Sequence, residues 1–374
     1  MTSPLFITTS PSDFHILKPL VIEQAKLQKI DFLVLFKLQE GYLRELKKLN
    51  INLILKDLKL KNKESDPASI EKDLNKVNKF ITSFIPKNKS NIAIVLGDRY
   101  ELLPIVQVLY LFKKRVIHIH GGEITEGSWD DAIRHSISKL SHIHFVSSNS
   151  AKEVLLKMGE SRNSIYNYGS LGAETVNKLN IKDKRELYSS LNIDYDLKSC
   201  LLVFLPITNK EFKYKQSLNT IVEFLLKNKF DQLLVSKTNS DPGSLELKAF
   251  FNNIKLDQLK VTLLSNLGME GYISLAKHAD LVIGNSSSFI FELPIKNIKS
   301  IMVTDRQKGR IFSEHIFNSQ INMRDLVSTY NKLLSKKTKP SKIYLKNDTS
   351  LNMAKMIFQY TKEPPSYRKV FNDS

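Results

Sequence analysis

The chain has 374 residues, 42% of them hydrophobic and 25% charged, with a formal net charge of +18. That is long enough for two domains with separate cores and too apolar for wholesale disorder. The basic excess fits nucleic acid, an anionic membrane surface or a small anionic ligand. However, lysines are scattered along nearly every helix-like segment and no aromatic-interleaved basic module of the RNA-binding kind is present, so no nucleic-acid partner is expected. The charge reads as solvated surface that also draws in phosphorylated substrates.

The opening MTSPLFITTSPSDF lacks a basic region followed by a long apolar stretch, and no run in the chain reaches the ~18 apolar residues of a membrane helix. The chain is therefore expected to be neither exported nor membrane-spanning. Its single cysteine, Cys200, has no partner for an intrachain disulfide and sits in an apolar run, which predicts a small buried residue and a reducing, cytoplasmic setting.

Strand-like runs then follow in order: LFITT, DFLVLF, INLIL, NIAIVLGD, RVIHIHGG, HIHFVSS, SIYNYGS, CLLVFLP, QLLVSKT, KVTLL, ADLVIGNSS and SIMVTD. Segments of helical spacing separate them. Near-continuous apolar strands alternating with helices predict an α/β protein with parallel sheets covered on both faces. The pattern is weakest around 169–200, in polar and turn-rich sequence. This predicts two Rossmann-like domains, residues 1–172 and 173–355, with a tail, 356–374, that crosses back to the first domain. In open parallel sheets ligands sit at the carboxyl ends of strands, so two facing halves make one interdomain cleft.

The loops behind the strands carry groups for which a core has no use. Asp98 follows NIAIVLG and Glu123 follows RVIHIHGG, so both carboxylates leave strand ends on the same side of the sheet, with Asp130, Asp131, Arg134 and His135 close behind. Carboxylates among basic groups can hold different protonation states, as proton transfer at carbon or oxygen requires. Helix capping by Asp130 and a structural turn through Asp98, Arg99 and Glu101 are the plainer alternatives. His118 with His120, and His142 with His144, alternate along strands and share a face; with no cysteine nearby, packed histidines are expected and a metal is not. In the second half a strand runs into Gly284, Asn285, Ser286, Ser287 and Ser288, and a helix beginning there brings backbone N–H groups and hydroxyls to one point. That suits phosphate, with Glu292 further along for ribose hydroxyls; a simple N-cap is the alternative. Arg306, Gln307 and Arg310 lie in the next loop, where guanidinium groups can line the same cleft.

The stretches GDRYELLP, HIHGGEITEGSWDDAIRHSISKLSHIHFVSS, KTNSDPGS, ADLVIGNSSSFIFELP, DRQKGR and YRKVFND keep an order and spacing that resembles the hydrolysing UDP-N-acetylglucosamine 2-epimerases of nonulosonate and sialic acid pathways. The resemblance implies a glycosyltransferase-B-like fold with a nucleotide sugar in the cleft. It also implies removal of the C2 proton with anti elimination of UDP to a glycal, then addition of water. In that frame Asp98, Glu123 and Asp130 fall on the acid/base carboxylates and Arg134 falls near the diphosphate. Ser286, Ser287 and Glu292 match phosphate and ribose contacts, and Arg306, Gln307 and Arg310 a further active-site loop. Arg99, Glu101, His135, Asn239, Asp241, Gly284, Asn285 and Ser288 complete the expected substrate contacts. A homodimer is expected, and neither metal nor redox cofactor is implied. The sequence departs from the family at two positions. Pro11 stands where an arginine normally reaches the phosphates, and Leu205 stands in place of a histidine. A catalytically altered nucleotide-sugar-binding relative, or a glycosyltransferase of the same fold, therefore stays open beside the epimerase.

Overall fold

The computed structural model describes residues 2–60, 67–207, 212–236, 244–254, 258–265 and 267–372. Its first sheet contains β1 (Leu5–Thr8), β2 (Ile30–Val34), β3 (Ile51–Leu55), β4 (Ile92–Leu96), β5 (Arg115–Ile119), β6 (Ile143–Val146) and β7 (Ile165–Asn167), in the order β3-β2-β1-β4-β5-β6-β7. The second contains β8 (Ser199–Val203), β9 (Gln232–Ser236), β10 (Lys260–Leu264), β11 (Leu281–Gly284), β12 (Ser300–Val303) and β13 (Ile316–Ser319), in the order β10-β9-β8-β11-β12-β13. All strand pairs are parallel.

The alternation of side chains explains why these runs are apolar throughout. In the first sheet Phe6, Ile94 and Ile117 pack on one face, while Leu5, Ile7, Ala93, Val95 and Val116 pack on the other. The second sheet divides likewise, with Cys200, Leu202 and Ile283 on one side and Leu201, Val203 and Val282 on the other. A sheet buried on both faces needs helices above and below, and the βαβ connections supply them. Each sheet reverses its winding beside its first strand, between β1 and β4 and between β8 and β11, which opens a crevice at the carboxyl edge.

Twelve of these strands correspond to the apolar runs of the sequence; β13 does not. It is a short edge strand reading IFNS, mostly half-buried, and polar side chains on its outer positions hide it from a hydrophobic pattern.

The second sheet begins only at Ser199, and the expected boundary at 172/173 falls inside a helix, Leu171–Lys178. This helix bridges the halves: Leu171 joins the core of the first sheet, Ala173 and Val176 that of the second. The last helix, Thr349–Lys362, buries Met353, Ala354 and Ile357 in the first-sheet core, so the chain returns to the first half before residue 356.

The tail is then pinned. Arg115 Nε donates to the Pro365 carbonyl at 3.1 Å, and Lys369 Nζ donates to Glu160 at 2.7 Å and to the Ser141 carbonyl. Burial pushes the Glu160 carboxyl up, but the hydrogen bond from His144 Nε2 (3.1 Å) and the Lys369 ammonium outweigh it and hold the group at about 2. A carboxyl depressed in the folded state stabilises above its ordinary pKa and loses that contribution as pH falls toward its folded value. Glu160→Gln is therefore expected to cost on the order of 3 kcal/mol at neutral pH. It should also flatten the loss of stability between about pH 4.5 and 2; urea melts across that range measure both effects.

Candidate functional site

Segments that follow the carboxyl ends of seven strands, four in the first sheet (β1, β4, β5 and, through Ser170 and Gly172, β7) and three in the second, enclose a cavity of about 340 Å³. After β1 come Ser12 and Asp13, after β4 Asp98 and Arg99, and after β5 His120 and Glu123. From the other half come Leu205 after β8, Ser287 and Glu292 after β11, and Arg306, Gln307 and Arg310 after β12. The site is thus built at the two winding reversals facing each other.

Arg134, on the helix Asp130–Leu140, organises the first half. Its side chain is 2% exposed. Nη2 donates to Asp98 Oδ2, while Nη1 donates to the Glu123 carbonyl (2.6 Å) and to Thr125 Oγ1 (2.8 Å). One guanidinium therefore fastens the β4 loop to the β5 loop. Burial would raise the Asp98 pKa, but Arg134 first, then Arg310 and Arg306, bring it below the usual aspartate range. Asp98 is consequently an anion at neutral pH. Glu123 Oε1 accepts from Ser147 Oγ and from Ser148 Oγ (3.3 Å), which fixes its carboxylate. Asp130 accepts from Ser128 Oγ at 2.7 Å and lines the cavity; it opens its helix without a side-chain cap bond.

The second half supplies positive charge. Arg306 Nε donates to the Pro206 carbonyl at 3.1 Å. Arg310 Nη1 donates to Gln307 Oε1 at 2.6 Å, and its guanidinium lies 4.9 Å from the Phe291 ring centre. Burial first, and Arg134 next, lower the Arg310 pKa to about 10, so it is still cationic at neutral pH. Two carboxyls on the walls move the other way: burial raises Asp13 to about 6 and Glu292 to about 7.

The serine turn differs from its expected form. Its helix is one turn long, Ser288–Phe291, and Glu292 closes it rather than projecting from further along. Of the expected residues only Ser287 and Glu292 line the cavity. Ser286 and Ser288 satisfy each other (2.9 Å), and Ser288 also meets Tyr272 at 2.6 Å. Asn285 is fully buried, its Oδ1 accepting from the Leu205 N–H (2.6 Å) and its Nδ2 donating to the Leu205 carbonyl (2.8 Å), so it clamps backbone instead of facing a ligand. Gly284 ends the strand beneath. Glu101 is buried against Arg99 at 3.0 Å, and His135 faces Asp131 at 3.5 Å; neither lines the cavity. Asn239 and Asp241 lie outside the described residues.

His118 is packed as expected, donating from Nε2 to the Gly97 carbonyl (2.7 Å), while Nδ1 meets Ser138 Oγ (3.0 Å). His120 does not share its face. It follows the end of β5 with a left-handed φ of 65°, which turns its ring into the cleft. Sequence alternation missed this because the residue lies one step beyond the strand. Tyr100 and Trp129, also absent from the expected set, line the cavity side by side with ring centres 6.2 Å apart.

A family profile described as UDP-N-acetylglucosamine 2-epimerase matches residues 38–358. The chain belongs to this family. It is 37% identical over 252 residues to the GDP/UDP-N,N'-diacetylbacillosamine 2-epimerase (hydrolyzing) of Campylobacter jejuni, covering 67% of this chain and 65% of that one. It is 31% identical over 308 residues to polysialic acid biosynthesis protein P7 of Escherichia coli, covering 78% and 75%. Among solved structures, the Methanocaldococcus jannaschii UDP-GlcNAc 2-epimerase in complex with UDP-GlcNAc and UDP shares the fold with a TM-score of 0.76 at 16% identity, over 96% of this chain and 100% of that one. The two-sheet architecture is therefore that of the 2-epimerase family, and it is glycosyltransferase-B-like.

Within this family member the Arg134–Asp98 pair makes a sharp test. Removing one member of a buried pair leaves the other uncompensated. Arg134→Met should destabilise by about 3 kcal/mol, with Asp98→Asn costing less. The double variant should recover part of the loss, giving a coupling above about 1 kcal/mol in urea unfolding. Additive losses would mean that the pair does not hold the loops.

Proposed function

We propose that the chain is a hydrolysing 2-epimerase of a nucleotide-linked 2-acetamido sugar, releasing the nucleoside diphosphate and the free 2-epimeric sugar for surface-glycan biosynthesis. The observation that carries this reading is one cavity with anchored carboxylates on one wall, Asp98 and Glu123, and guanidiniums on the other, Arg306 and Arg310. The substrate class follows the names of the relatives: UDP-N-acetylglucosamine, or a UDP- or GDP-linked N,N'-diacetylbacillosamine.

The arrangement fits an elimination. A carboxylate of the first wall takes the proton from C2, the C1–O bond breaks, and its electrons leave with the diphosphate, giving a glycal. Water then adds across the double bond, oxygen to C1 and a proton to C2 on the opposite face, and the ring opens to the free 2-epimer. Charge develops on the departing phosphate oxygen, where preorganised cations contribute most. A diphosphate against Arg310 would offset both the burial and the Arg134 repulsion that lower its pKa. Ser287 and Glu292 lie on the nucleotide wall, and Glu292, raised to about 7, can donate as well as accept hydrogen bonds to ribose hydroxyls.

The test is incubation with these sugars in D2O, following nucleotide release and deuterium at C2 by NMR. Turnover with one deuterium at C2 is expected, and Asp98→Asn and Glu123→Gln should each lower kcat by about 10²–10⁴-fold. Folded protein that releases no nucleotide from any of them rejects the epimerase. Pro11 and Leu205 favour one second reading, a protein that binds the nucleotide sugar without converting it; calorimetry would then show binding with no turnover. A homodimer and a cytoplasmic location belong to the same reading, and light scattering after size exclusion tests the first.

A further inference from the structure

The cleft contains a side chain that the elimination scheme does not use. His120 lies on the turn that carries Glu123, between β5 and the loop held by Arg134. Its backbone is fixed from two sides. The His120 N–H donates to the Phe145 carbonyl at 2.9 Å, extending the β5–β6 ladder. Two residues on, Gly122 has φ of 78°, and a Cβ there would sit 2.2 Å from the Ala151 carbonyl oxygen, so the turn has no room to relax. A left-handed φ at a non-glycine residue persists only where the surroundings over-determine it, and such positions gather at functional sites. Here the effect is to send the ring away from the sheet and into the cavity.

The ring then meets the other half of the molecule. It lies parallel to Phe291, centres 6.3 Å apart and planes within 9°. Phe291 is further braced by Arg310, 4.9 Å from its ring centre, and by Tyr344 in a T-shaped contact with ring centres 4.5 Å apart. The imidazole is thus oriented by a contact that spans the two halves. Among the described residues its Nε2 is buried and has no hydrogen-bond partner. Burial lowers the ring's pKa to about 4, outweighing Glu123 beside it, so the imidazole is neutral at neutral pH and either tautomer is open to Nε2. Charged neighbours on every packed element, Glu123, Asp98, Arg310 and Arg134, have bonds of their own and leave that nitrogen unclaimed.

We propose that His120 is a further substrate-contacting residue, whose imidazole hydrogen-bonds a hydroxyl or amide group on the sugar half of the bound nucleotide sugar. It stands three residues from Glu123, at the carboxylate end of the cavity, so it reads the hexose and not the nucleotide. A neutral ring suits that task, because it can accept from a hydroxyl or donate to an amide carbonyl without adding charge beside the carboxylates. The inference rests on the nucleotide-sugar reading of the cleft.

The test separates sugar from nucleotide. His120→Phe keeps a flat ring against Phe291 and removes the nitrogen; His120→Gln and His120→Asn keep a donor and acceptor. UDP affinity by calorimetry should stay within twofold in all three. For the phenylalanine variant, kcat/KM with UDP-N-acetylglucosamine or UDP-N,N'-diacetylbacillosamine should fall at least thirtyfold, and the glutamine or asparagine variant should regain at least threefold of it. A phenylalanine variant within threefold of the parent overturns the proposal, as does a parallel loss of UDP binding. Should the phenylalanine variant fail to fold, the glutamine and asparagine variants decide alone: parent-like UDP affinity with a sugar-specific loss supports the contact, and an equal loss of both overturns it. If the parent turns over none of these sugars, the proposed activity falls, and the same comparison is read from binding. UDP-sugar affinity lost at least tenfold with UDP affinity kept supports His120, and unchanged UDP-sugar affinity refutes it.

Discussion

A single buried guanidinium holds the carboxyl edge of the first sheet together. Parallel strands end in loops that have no ladder to register them, so the relative position of two such loops depends on side-chain bonds. Arg134 provides these by dividing its donors between the Asp98 carboxylate, the Glu123 carbonyl and the Thr125 hydroxyl. A planar fork with donors at fixed angles suits this role, and a lysine's single ammonium would not reproduce it. The same bond determines chemistry as well as shape. Asp98 is anionic because Arg134 lies against it, and Arg310 is a weaker cation partly because Arg134 lies beside it. Positioning and charge in the cleft therefore have one origin.

The second constraint is how closely the two halves approach. The Glu126 N–H donates to the Lys308 carbonyl at 3.1 Å, and the two side chains pair at 2.7 Å. Gly127 allows the contact, since a Cβ there would stand 2.3 Å from the Asp305 carbonyl oxygen. These residues belong to the loops bearing Glu123 and Asp130 on one side and Arg306 and Arg310 on the other. The carboxylate wall and the guanidinium wall are thus joined at one edge by backbone contact, and along another by the helix Leu171–Lys178, whose apolar residues enter both cores. The distance between walls is set by packing, not by long flexible side chains.

Much of this was legible in the sequence because burial on both faces leaves an uninterrupted apolar signal. Twelve strands, the parallel topology and the convergence of Asp98, Glu123, Ser287, Glu292, Arg306 and Arg310 all follow from apolar runs that end in polar loops. The failures have particular causes. β13 is a half-exposed edge strand with no such signal. Asn285 belongs to the expected contacts only as part of the polar turn at the end of β11, yet its amide mimics a peptide group and extends the ladder to Leu205. His120 was assigned by alternation to the face of His118, but alternation stops where the strand stops, and a left-handed φ is not written in residue type at a histidine. Periodicity describes the sheets; at the loops beyond them only local hydrogen bonding decides direction.

Pro11 and Leu205, the two positions that the sequence reading sets apart from the family pattern, can be described in the same terms. Pro11 occupies the first position of the helix Pro11–Leu27, behind a Ser10 cap whose Oγ accepts from the Asp13 N–H at 3.2 Å. Proline's missing N–H costs nothing there and its φ suits a helix start. Ser12 and Asp13, which follow in this helix, line the cavity together with Arg99. Leu205 is held by its backbone through Asn285, a contact indifferent to its side chain, while Arg306 holds the neighbouring Pro206 carbonyl. Leu205 lines the cavity and Pro11 does not, but at both positions the local backbone is held by contacts that do not involve the side chain's polarity. A side chain placed like that of Leu205 sets the polarity of the wall without supporting its backbone. Sites that separate scaffold from surface in this way can change which sugar they accept without rebuilding the cleft.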